Sequence, residues 1–572
     1  MQHYKIHVCD RKYNEWIIRD AVTMEKLNIA DFTHINPIEN KLLCGDIFKI
    51  VDGRAVTIHS TLKNTKHISG VLVLNTKITY GKFKNKHLYK CIPDDKRLPE
   101  FVIAYKPQIK FNKKMNNKYI TFRFLHWRKK HPFGQIVVNI GDVTDLPNFY
   151  EYQMYCKSLY ASIANMKKKT RSLFQIHDEE WYIQKILEKH GNIEDRTSRE
   201  NIITIDSKGS KDLDDAFGYK YIDDNIVMVS IYISNVTVWF DVLDLWESFT
   251  NRISTIYLPD RKRPMLPTLL SDNICSLLEG KERFVFALDI LLDIETKTVK
   301  SYEFKNCLIK VVKNHHHKTE TLENCEIYKK MKDLAFILNK TKKYLDSVSN
   351  SNEIVAYYMV FMNYITALEM KKYETGIYRF SNFNENYEAP KEATKEIKKF
   401  LKIWHSMGGK YCKFQNIQEH QMLNLDSYLH ITSPNRRLVD MINMIIIQEN
   451  LGLMQPTEKS KKFYDKWTSD EMIEYINNTM RSIRKVQSDC KLLHVCSTEK
   501  RLTKQPLRGY IFDKLLRNDD LFQYIVYLPE IKMTNRITTT RDLKNLSSYN
   551  FKIYIFMDEI RLKQKIRLLI QD

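Results

Sequence analysis

The chain has 572 residues, of which 43% are apolar and 28% charged, so it can bury large hydrophobic cores and is not an intrinsically disordered protein. Its 15 glycines are roughly a third of the usual share of about 7%, and neither phosphate-binding glycine motif, G-x-G-x-x-G or G-x-x-x-x-G-K-S/T, occurs. These features argue against Rossmann and P-loop enzymes, and the net charge of +22 favours a polyanionic partner.

The positive charge is concentrated in the two terminal regions of the chain. Residues 1–150 hold 26 basic and 13 acidic side chains, and residues 497–572 hold 15 and 9, whereas residues 151–496 hold 50 and 47. Basic regions of this kind favour nucleic acid, because lysine and arginine release the counterions condensed on its phosphates. A solvated basic surface without a partner is the alternative.

Short strands with basic and aromatic side chains on one face are predicted in the N-terminal region. Residues 119–124 alternate with a period of two, which places Tyr119, Thr121 and Arg123 on one face and apolar side chains on the other. A second predicted strand presents on one face Lys82, Lys84 and Lys86. An OB-fold holds single-stranded nucleic acid on such faces by base stacking and by contacts to phosphates. Ordinary sheet is the alternative for each strand alone.

The central region reads as a mixed α and β domain. Apolar runs at 202–205, 226–233 and 284–289 predict strands, and the segments 359–370 and 441–447 predict buried helices. The histidine triplet 315–317 predicts a polar turn rather than a metal site, because adjacent side chains point apart and no further ligand stands at a suitable spacing.

The C-terminal region returns to short strands. Within residues 551–556, Lys552 and Tyr554 lie on the face opposite the apolar side chains, which predicts another surface that binds nucleic acid.

The sequence favours a cytoplasmic location without a membrane. The N-terminus lacks the apolar core of a signal peptide, and no apolar run approaches the roughly 20 residues that a membrane-spanning helix needs. The ten cysteines are scattered without a C-x₂-C pair, which is typical of reduced thiols.

A cluster of carboxylates follows the apolar strand predicted at 202–205. Its four members, all within ten residues, are Asp206, Asp212, Asp214 and Asp215. Hard oxygen donors of this kind suit Mg²⁺ or Mn²⁺. A calcium-binding EF-hand does not fit, because Lys211 and Phe217 stand where its glycine and glutamate would be required. An acidic surface turn is the alternative.

The order of the motifs along the chain resembles the ribonuclease II and ribonuclease R family, which includes the catalytic subunit of the eukaryotic exosome. The matching segments are 205–206, 212–216, 257–261, 264–267, 270–271, 275–277 and, later in the chain, His430, 432–434, Arg436, Arg437 and Asp440. The resemblance covers essentially the whole chain. It implies cold-shock-type OB-folds at 1–66 and 67–150, a mixed α+β catalytic domain of the RNB type at 151–495 and an OB-fold at 496–572.

The resemblance further implies processive 3′-to-5′ hydrolysis of single-stranded RNA to 5′-nucleoside monophosphates with two metal ions. Asp206, Asp212, Asp214 and Asp215 would then be the metal-site residues, with Mg²⁺ or Mn²⁺ as the ion and Asp214 as the most sensitive position. Arg436 would clamp the scissile phosphate and Tyr257 would stack on the 3′-terminal base. Arg379 and Arg437 match further arginines of the family and are expected to contact RNA.

The chain also departs from the family pattern. Asn435, Leu438 and Met444 stand where the family usually has Ile, Tyr and His, and Gln487-Ser488 stands where a Glu usually precedes an Arg, so the ribose contact is expected to differ. The segment 379–433 is shorter than usual, which predicts a trimmed RNA channel and reduced processivity. With no endonuclease domain expected ahead of the first OB-fold, a monomer that works without an exosome core is predicted.

The main alternative is a catalytically inactive protein that keeps the same fold and binds RNA. The four carboxylates favour the enzyme, because a single Asp→Asn change would relieve their repulsion in a site that no longer needed a metal. An endonuclease or a DNase that uses the same metals is a further alternative.

Overall fold

The computed structural model describes residues 2–107, 115–383, 394–405 and 408–571. These residues form two compact units. The first comprises Met1–Tyr160, Leu258–Arg261 and Arg484–Asp572, and the second comprises Ala161–Tyr257 and Lys262–Ile483.

The first unit begins with a four-stranded antiparallel sheet in the order β2-β1-β3-β4. The elements are β1 (Tyr4–Val8), β2 (Trp16–Asp20), β3 (Ile47–Val51), β4 (Arg54–His59) and a short helix α1 (Thr61–Asn64). This order matches strands two, one, four and five of an OB barrel. Among the described residues, the third strand is replaced by an isolated bridge between Arg19 and Lys26.

The second sheet of this unit is a closed barrel. Its strands are β5 (Ile68–Leu72), β6 (Lys82–Phe83), β7 (Lys86–Pro93), β8 (Phe101–Tyr105), β9 (Lys118–His126) and β10 (Phe133–Asp142). The order is β5-β9-β10-β8-β7-β6, and the additional pairing of β5 with β7 closes five strands into a ring. Strands β8 and β10 run parallel, as the third and fifth strands of an OB-fold do.

Two predictions about this barrel were wrong. Tyr119 and Thr121 are fully buried, because helix α2 (Leu146–Cys156) packs across β5, β9 and β10 and Tyr119 stacks on Tyr152 with 4.3 Å between ring centroids. Arg123 alone of the predicted face is exposed, and it donates to Gln135 Oε1. The lysines at 82, 84 and 86 do not share one strand either, since Lys84 adopts a positive φ of 51° in the turn between β6 and β7.

The first unit ends in a second closed barrel. Its elements are α13 (Lys500–Lys504), β22 (Leu507–Leu516), β23 (Phe522–Leu528), β24 (Met533–Thr539), β25 (Ser548–Asp558) and β26 (Lys563–Gln571). The order is β24-β23-β22-β25-β26, and β24 also contacts β26, which closes the ring. The predicted faces of β25 are confirmed: Phe551 and Ile553 lie in the core, whereas Tyr554 is exposed with Lys552 Nζ 5.5 Å from its ring centroid.

The second unit is built on a seven-stranded sheet in the order β11-β18-β17-β14-β13-β12-β19. Its strands are β11 (Glu194–Arg196), β12 (Ile203–Asp206), β13 (Asp215–Tyr221), β14 (Ile226–Ser234), β17 (Glu282–Asp293), β18 (Thr298–Lys310) and β19 (Lys313–His316). The three predicted strands of this region are confirmed. The predicted polar turn at the histidine triplet was wrong for its first two members, because β19 pairs in parallel with β12 and places His315 beside Ile205.

Helices and two small hairpins complete the second unit. The helices are α3 (Ala164–Ile176), α4 (Glu179–Lys189), α5 (Val236–Val242), α6 (Glu320–Glu323), α7 (Glu326–Thr341), α8 (Ser351–Lys372), α9 (Lys395–His405), α10 (Leu438–Asn450), α11 (Glu458–Trp467) and α12 (Asp470–Thr498), the last of which continues into the first unit. The hairpins are β15 (Ile256–Tyr257) with β16 (Lys262–Arg263), and β20 (Ile377–Phe380) with β21 (Lys410–Lys413). The buried helices α8 and α10 confirm the two predictions.

The fold class is therefore as predicted: OB-type barrels precede and follow a mixed α+β domain in the sequence. All ten cysteines are free thiols. Within the described ranges, no helix has the length and hydrophobicity needed to cross a bilayer. The domain limits at residues 66, 150 and 495 stay predictions.

Candidate active site

The carboxylate cluster lies where two neighbouring strands of the seven-stranded sheet end and begin. Strand β12 ends at Asp206 and strand β13 begins at Asp215, and the two strands are antiparallel neighbours with Ile203 opposite Phe217. The loop between them carries Asp212 and Asp214. The chain therefore leaves the end of β12 and re-enters the sheet at the adjacent end of β13, which brings the four carboxylates together.

A tight turn before α10 supplies the main cation of the site. Ser433 N–H donates to Asp440 Oδ1 at 2.7 Å, and the N–H groups of Arg436 and Arg437 both donate to the carbonyl of Ser433. The turn faces Asp214: Asn435 N–H donates to Asp214 Oδ1 at 3.0 Å, and Arg436 Nε donates to Oδ2 at 2.8 Å. The two motif groups of the sequence thus meet across 222 residues.

Asp212 has partners of its own on the hairpin β15–β16. The Tyr257 hydroxyl donates to Asp212 Oδ2 at 2.9 Å, and Lys262 Nζ donates to Asp212 Oδ1 at 2.9 Å. Lys262 also donates to Asp272 Oδ1 at 2.9 Å. The sequence did not single out Lys262 or Asp272, and the only available signal was the position of Lys262 between two motif segments.

Asp206 and Asp215 form no ion pair with a side chain among the described residues, unlike Asp212 and Asp214. Asp206 Oδ2 is buried and has no hydrogen-bond partner among the described residues. Burial, reinforced by neighbouring carboxylates, raises the pKa of Asp206, and burial together with the nearby Asp206 raises the pKa of Asp215. Burial also raises the pKa of Asp214 to about 6, despite its bond to Arg436. Burial and the neighbouring carboxylates therefore outweigh the attraction of Arg436 and Arg437 to the ionised forms of Asp206 and Asp215.

These residues fit a divalent cation in charge and in donor type. Over the part of the chain that the structure describes, no group of three or more His, Cys, Asp or Glu side chains is arranged to hold a metal. Asp206 and Asp215 would therefore hold an ion through two carboxylates, with water and substrate oxygens as the other ligands. Mg²⁺ is commonly bound in this way, because it gives up its waters reluctantly.

The metal-free protein is expected to lose thermal stability as the pH rises from about 5 to about 7.5. Because the folded state raises the pKa of Asp214 from 3.8 to about 6, and that of Asp206 and Asp215 in the same direction, it binds protons that the unfolded chain releases. This contribution is complete below about pH 4 and is lost as the pH rises through about 6.

Mg²⁺ should reverse this loss, so the increase in Tm on replacing EDTA with Mg²⁺ should be larger at about pH 7.5 than at about pH 5. The comparison is a pair of thermal melts at each pH. In Asp206→Asn the pH dependence should be weaker. An equal Mg²⁺ effect at both pH values would contradict the assignment of the raised pKa values to these carboxylates.

The remaining predicted RNA-binding residues lie outside the carboxylate cluster. The guanidinium of Arg379 lies 5.8 Å from the ring centroid of Tyr411, and Arg437 Nη2 donates to Asp440 Oδ1 at 2.8 Å. Arg437 thus supports the turn that carries Arg436. Roles in RNA binding for Arg379, Arg437, Arg123, Lys552 and Tyr554 stay predictions, and the base-stacking role predicted for Tyr119 was wrong because that ring is buried. The segment 379–433, which is predicted to be shortened, includes residues 384–393 and 406–407, which lie outside the described residues.

Comparison with protein families gives two matches. The family model of the RNB domain matches residues 194–321 and 317–452, and that of the Dis3-like cold-shock domain 2 (CSD2) matches residues 88–149. DIS3-like exonuclease 2 of Schizosaccharomyces pombe is 27% identical over 266 residues, which are 44% of this chain and 26% of that protein. The chain thus matches about a quarter of the length of this relative.

Two solved structures share the fold. Mycoplasma genitalium RNase R in complex with ribose methylated single-stranded RNA superposes with a TM-score of 0.70 and 16% identity, over 100% of both chains. Yeast Ssd1, described as a pseudonuclease, superposes with a TM-score of 0.57 and 14% identity, over 96% of this chain and 80% of that chain. At these identities the likeness concerns the fold alone.

Proposed function

Because the chain belongs to the ribonuclease II and ribonuclease R family with its RNB domain, we propose that it is a 3′-to-5′ exoribonuclease that hydrolyses single-stranded RNA to 5′-nucleoside monophosphates. The observation that carries the proposal is the pair of buried carboxylates Asp206 and Asp215, of which Asp206 Oδ2 has no hydrogen-bond partner among the described residues, beside the ion pair of Asp214 and Arg436. The proposal includes action as a monomer, without an exosome core.

Asp206 and Asp215 are the residues that would hold the cation. A bound divalent ion lowers the pKa of a coordinated water and stabilises the charge that develops on the phosphate. The two-ion scheme is part of the proposal: Asp214 becomes available as a ligand once Arg436 turns from its carboxylate to the RNA. Mg²⁺ is the expected ion, with Mn²⁺ as a substitute.

Arg436 is the residue that we expect to bind the scissile phosphate. Its side chain is 42% exposed, although its Nε is bonded to the buried carboxylate of Asp214. A guanidinium presents several donors in a rigid plane, so it can contact two phosphate oxygens at once where a lysine could not. In the absence of RNA the same group neutralises part of the charge on Asp214.

Replacing Tyr257 with Ala is expected to weaken binding of single-stranded RNA by roughly 1–3 kcal/mol, the usual value of one base stacked on an aromatic ring. The ring of Tyr257 is 43% exposed, whereas its hydroxyl is fixed on Asp212. Tyr257→Phe keeps the ring and should lose less affinity. The measurement is the Kd for a short RNA in EDTA, and equal affinities of Tyr257→Ala and the unmodified protein would contradict the stacking role.

The test of the function itself follows a 5′-labelled single-stranded RNA incubated with the protein and Mg²⁺. We expect a ladder that shortens from the 3′ end and disappears with EDTA. A DNA oligomer of the same sequence should be cut more slowly, because the RNA-specific 2′-hydroxyl is absent. Internal cuts without a 3′ ladder would indicate an endonuclease instead.

One observation favours the second candidate, a catalytically inactive RNA-binding protein. Arg436 is bonded to Asp214, a carboxylate that the two-ion scheme needs as a ligand. Within the described ranges, no group of three His, Cys, Asp or Glu side chains is arranged to hold a metal. If RNA binds tightly and is not shortened under any metal tested, this candidate replaces the enzyme.

A further inference from the structure

Lys262 is a fixed cation inside the carboxylate cluster that neither the metal site nor the phosphate contact requires. Its Nζ lies 2.9 Å from Asp212 Oδ1 and 2.9 Å from Asp272 Oδ1, and its side chain is only 20% exposed. Burial alone would lower the pKa of Lys262, but the bonds to Asp272 and Asp212 outweigh it and the pKa is raised. The ammonium group is therefore charged at neutral pH.

This cation changes what Asp212 can do. One carboxylate oxygen accepts from Lys262 and the other from the hydroxyl of Tyr257, so both are already bonded. A divalent ion placed at Asp212 would stand close to the ammonium group and be repelled by it, and the repulsion is strong in a site with little water. Asp212 thus differs from Asp206, whose Oδ2 has no partner among the described residues.

The bonds form a chain that ends at an exposed ring. Tyr257 and Lys262 are directly opposite each other on the hairpin β15–β16, and Asp272 lies in the turn Leu270–Ile274, where Ser271 Oγ donates to it at 2.6 Å. The chain runs from Asp272 through Lys262 and Asp212 to the hydroxyl of Tyr257. It fixes the far end of the Tyr257 side chain, while the residue as a whole is 43% exposed.

We propose that Lys262 is a positioning residue, which keeps divalent ions away from Asp212 and reserves this carboxylate as the anchor that orients Tyr257 for the 3′-terminal base. The proposal rests on the proposed function for the role of Tyr257. It reassigns Asp212 from the metal site, where the family resemblance puts it, to the binding of the RNA end.

The first test is an equilibrium measurement in EDTA with a single-stranded RNA that carries 2-aminopurine as its 3′-terminal base. Stacking on Tyr257 should quench its fluorescence. In Lys262→Met the quenching should be lost and the Kd should rise roughly tenfold, within the range of one stacked base. Lys262→Arg should restore both, and Lys281→Met, at an exposed turn, is the matched control.

The second test counts bound Mn²⁺ by electron paramagnetic resonance. Lys262→Met leaves Asp212 and Asp272 without their cation, so it should bind one Mn²⁺ more than the unmodified protein, and Lys262→Arg should not. Asp272→Asn keeps Lys262 in place and provides a milder variant, which should weaken the quenching without adding an ion. Thermal melts check that each variant is folded.

Unchanged quenching together with an unchanged Mn²⁺ count in folded Lys262→Met would overturn the proposal. Neither readout requires cleavage. If the unmodified protein quenches the 3′ base but does not shorten RNA, the proposed function is wrong and the role of Lys262 still stands. If the protein cleaves RNA and the Lys262→Met variant is unchanged in both readouts, the proposed function stands and the role of Lys262 is wrong.

Discussion

Replacing Asp214 with Asn is expected to slow RNA cleavage at least about a thousandfold and to leave the affinity for RNA within about threefold. The side chain is 1% exposed and joins the two halves of the site, since it accepts from Asn435 N–H and from Arg436 Nε. Asn keeps the shape and one acceptor oxygen but removes the charge that pairs with Arg436 and that the proposed second ion would need. Cleavage therefore fails while the RNA-binding surfaces stay intact.

The fold should tolerate this change. Because burial raises the pKa of Asp214 to about 6, the protein holds its ionised form at a cost near neutral pH, and a neutral side chain removes that cost. The Tm of Asp214→Asn should equal or exceed that of the unmodified protein at about pH 7.5. Asp224→Asn, in an exposed turn, is the control. A variant that still shortens RNA at the normal rate would remove Asp214 from the catalytic site.

Replacing Arg196 with Met is expected to destabilise the second unit by about 3–5 kcal/mol, the usual cost of leaving a buried charge without its partner. Arg196 is 2% exposed and binds Asp289 through two bonds, with Nη1 to Oδ1 at 2.8 Å and Nη2 to Oδ2 at 2.5 Å. It also binds Glu194 through Nε at 2.8 Å. Without the guanidinium, Asp289 stays buried in the interior strand β17, where Ser230 Oγ is its only remaining donor among the described residues.

Thermal melting followed by circular dichroism measures the effect, and the transition of this unit should fall by roughly 10 °C. Arg171→Met, an exposed arginine on α3, should melt as the unmodified protein does. A second change, Asp289→Leu, added to Arg196→Met should recover much of the loss, because it removes the stranded charge. If Arg196→Met alone melts as the unmodified protein does, water or another cation reaches Asp289.

The strands of the sheet could be predicted from the sequence, but not what covers them. The same two-residue alternation was correct for Lys552 and Tyr554 on β25 and wrong for Tyr119 on β9. The difference is helix α2, which packs on β9 and buries its second face. Local periodicity indicates that a strand has one apolar face and one polar or basic face. It does not indicate which distant element packs against either face.

The site was predictable to the extent that its residues form motifs. The Asp cluster stands out within ten residues, whereas its contact with Arg436 spans 222 residues and could be inferred only from the family resemblance. Lys262 is a single lysine in a basic protein, and only its position between two motif segments marks it in the sequence. Its role follows from the two carboxylates that the fold brings to it.

Under the proposed function, the bond between Arg436 and Asp214 also selects substrates by the charge of their backbone. A backbone phosphate competes with the carboxylate for the guanidinium, whereas a strand whose backbone is uncharged offers Arg436 no anion to exchange for Asp214. Such a strand could still stack its last base on Tyr257 and occupy the same surface. Arg436 would then stay bonded to Asp214 although a strand of the correct shape is bound. The site would therefore select for backbone charge before it distinguishes the sugar or the base.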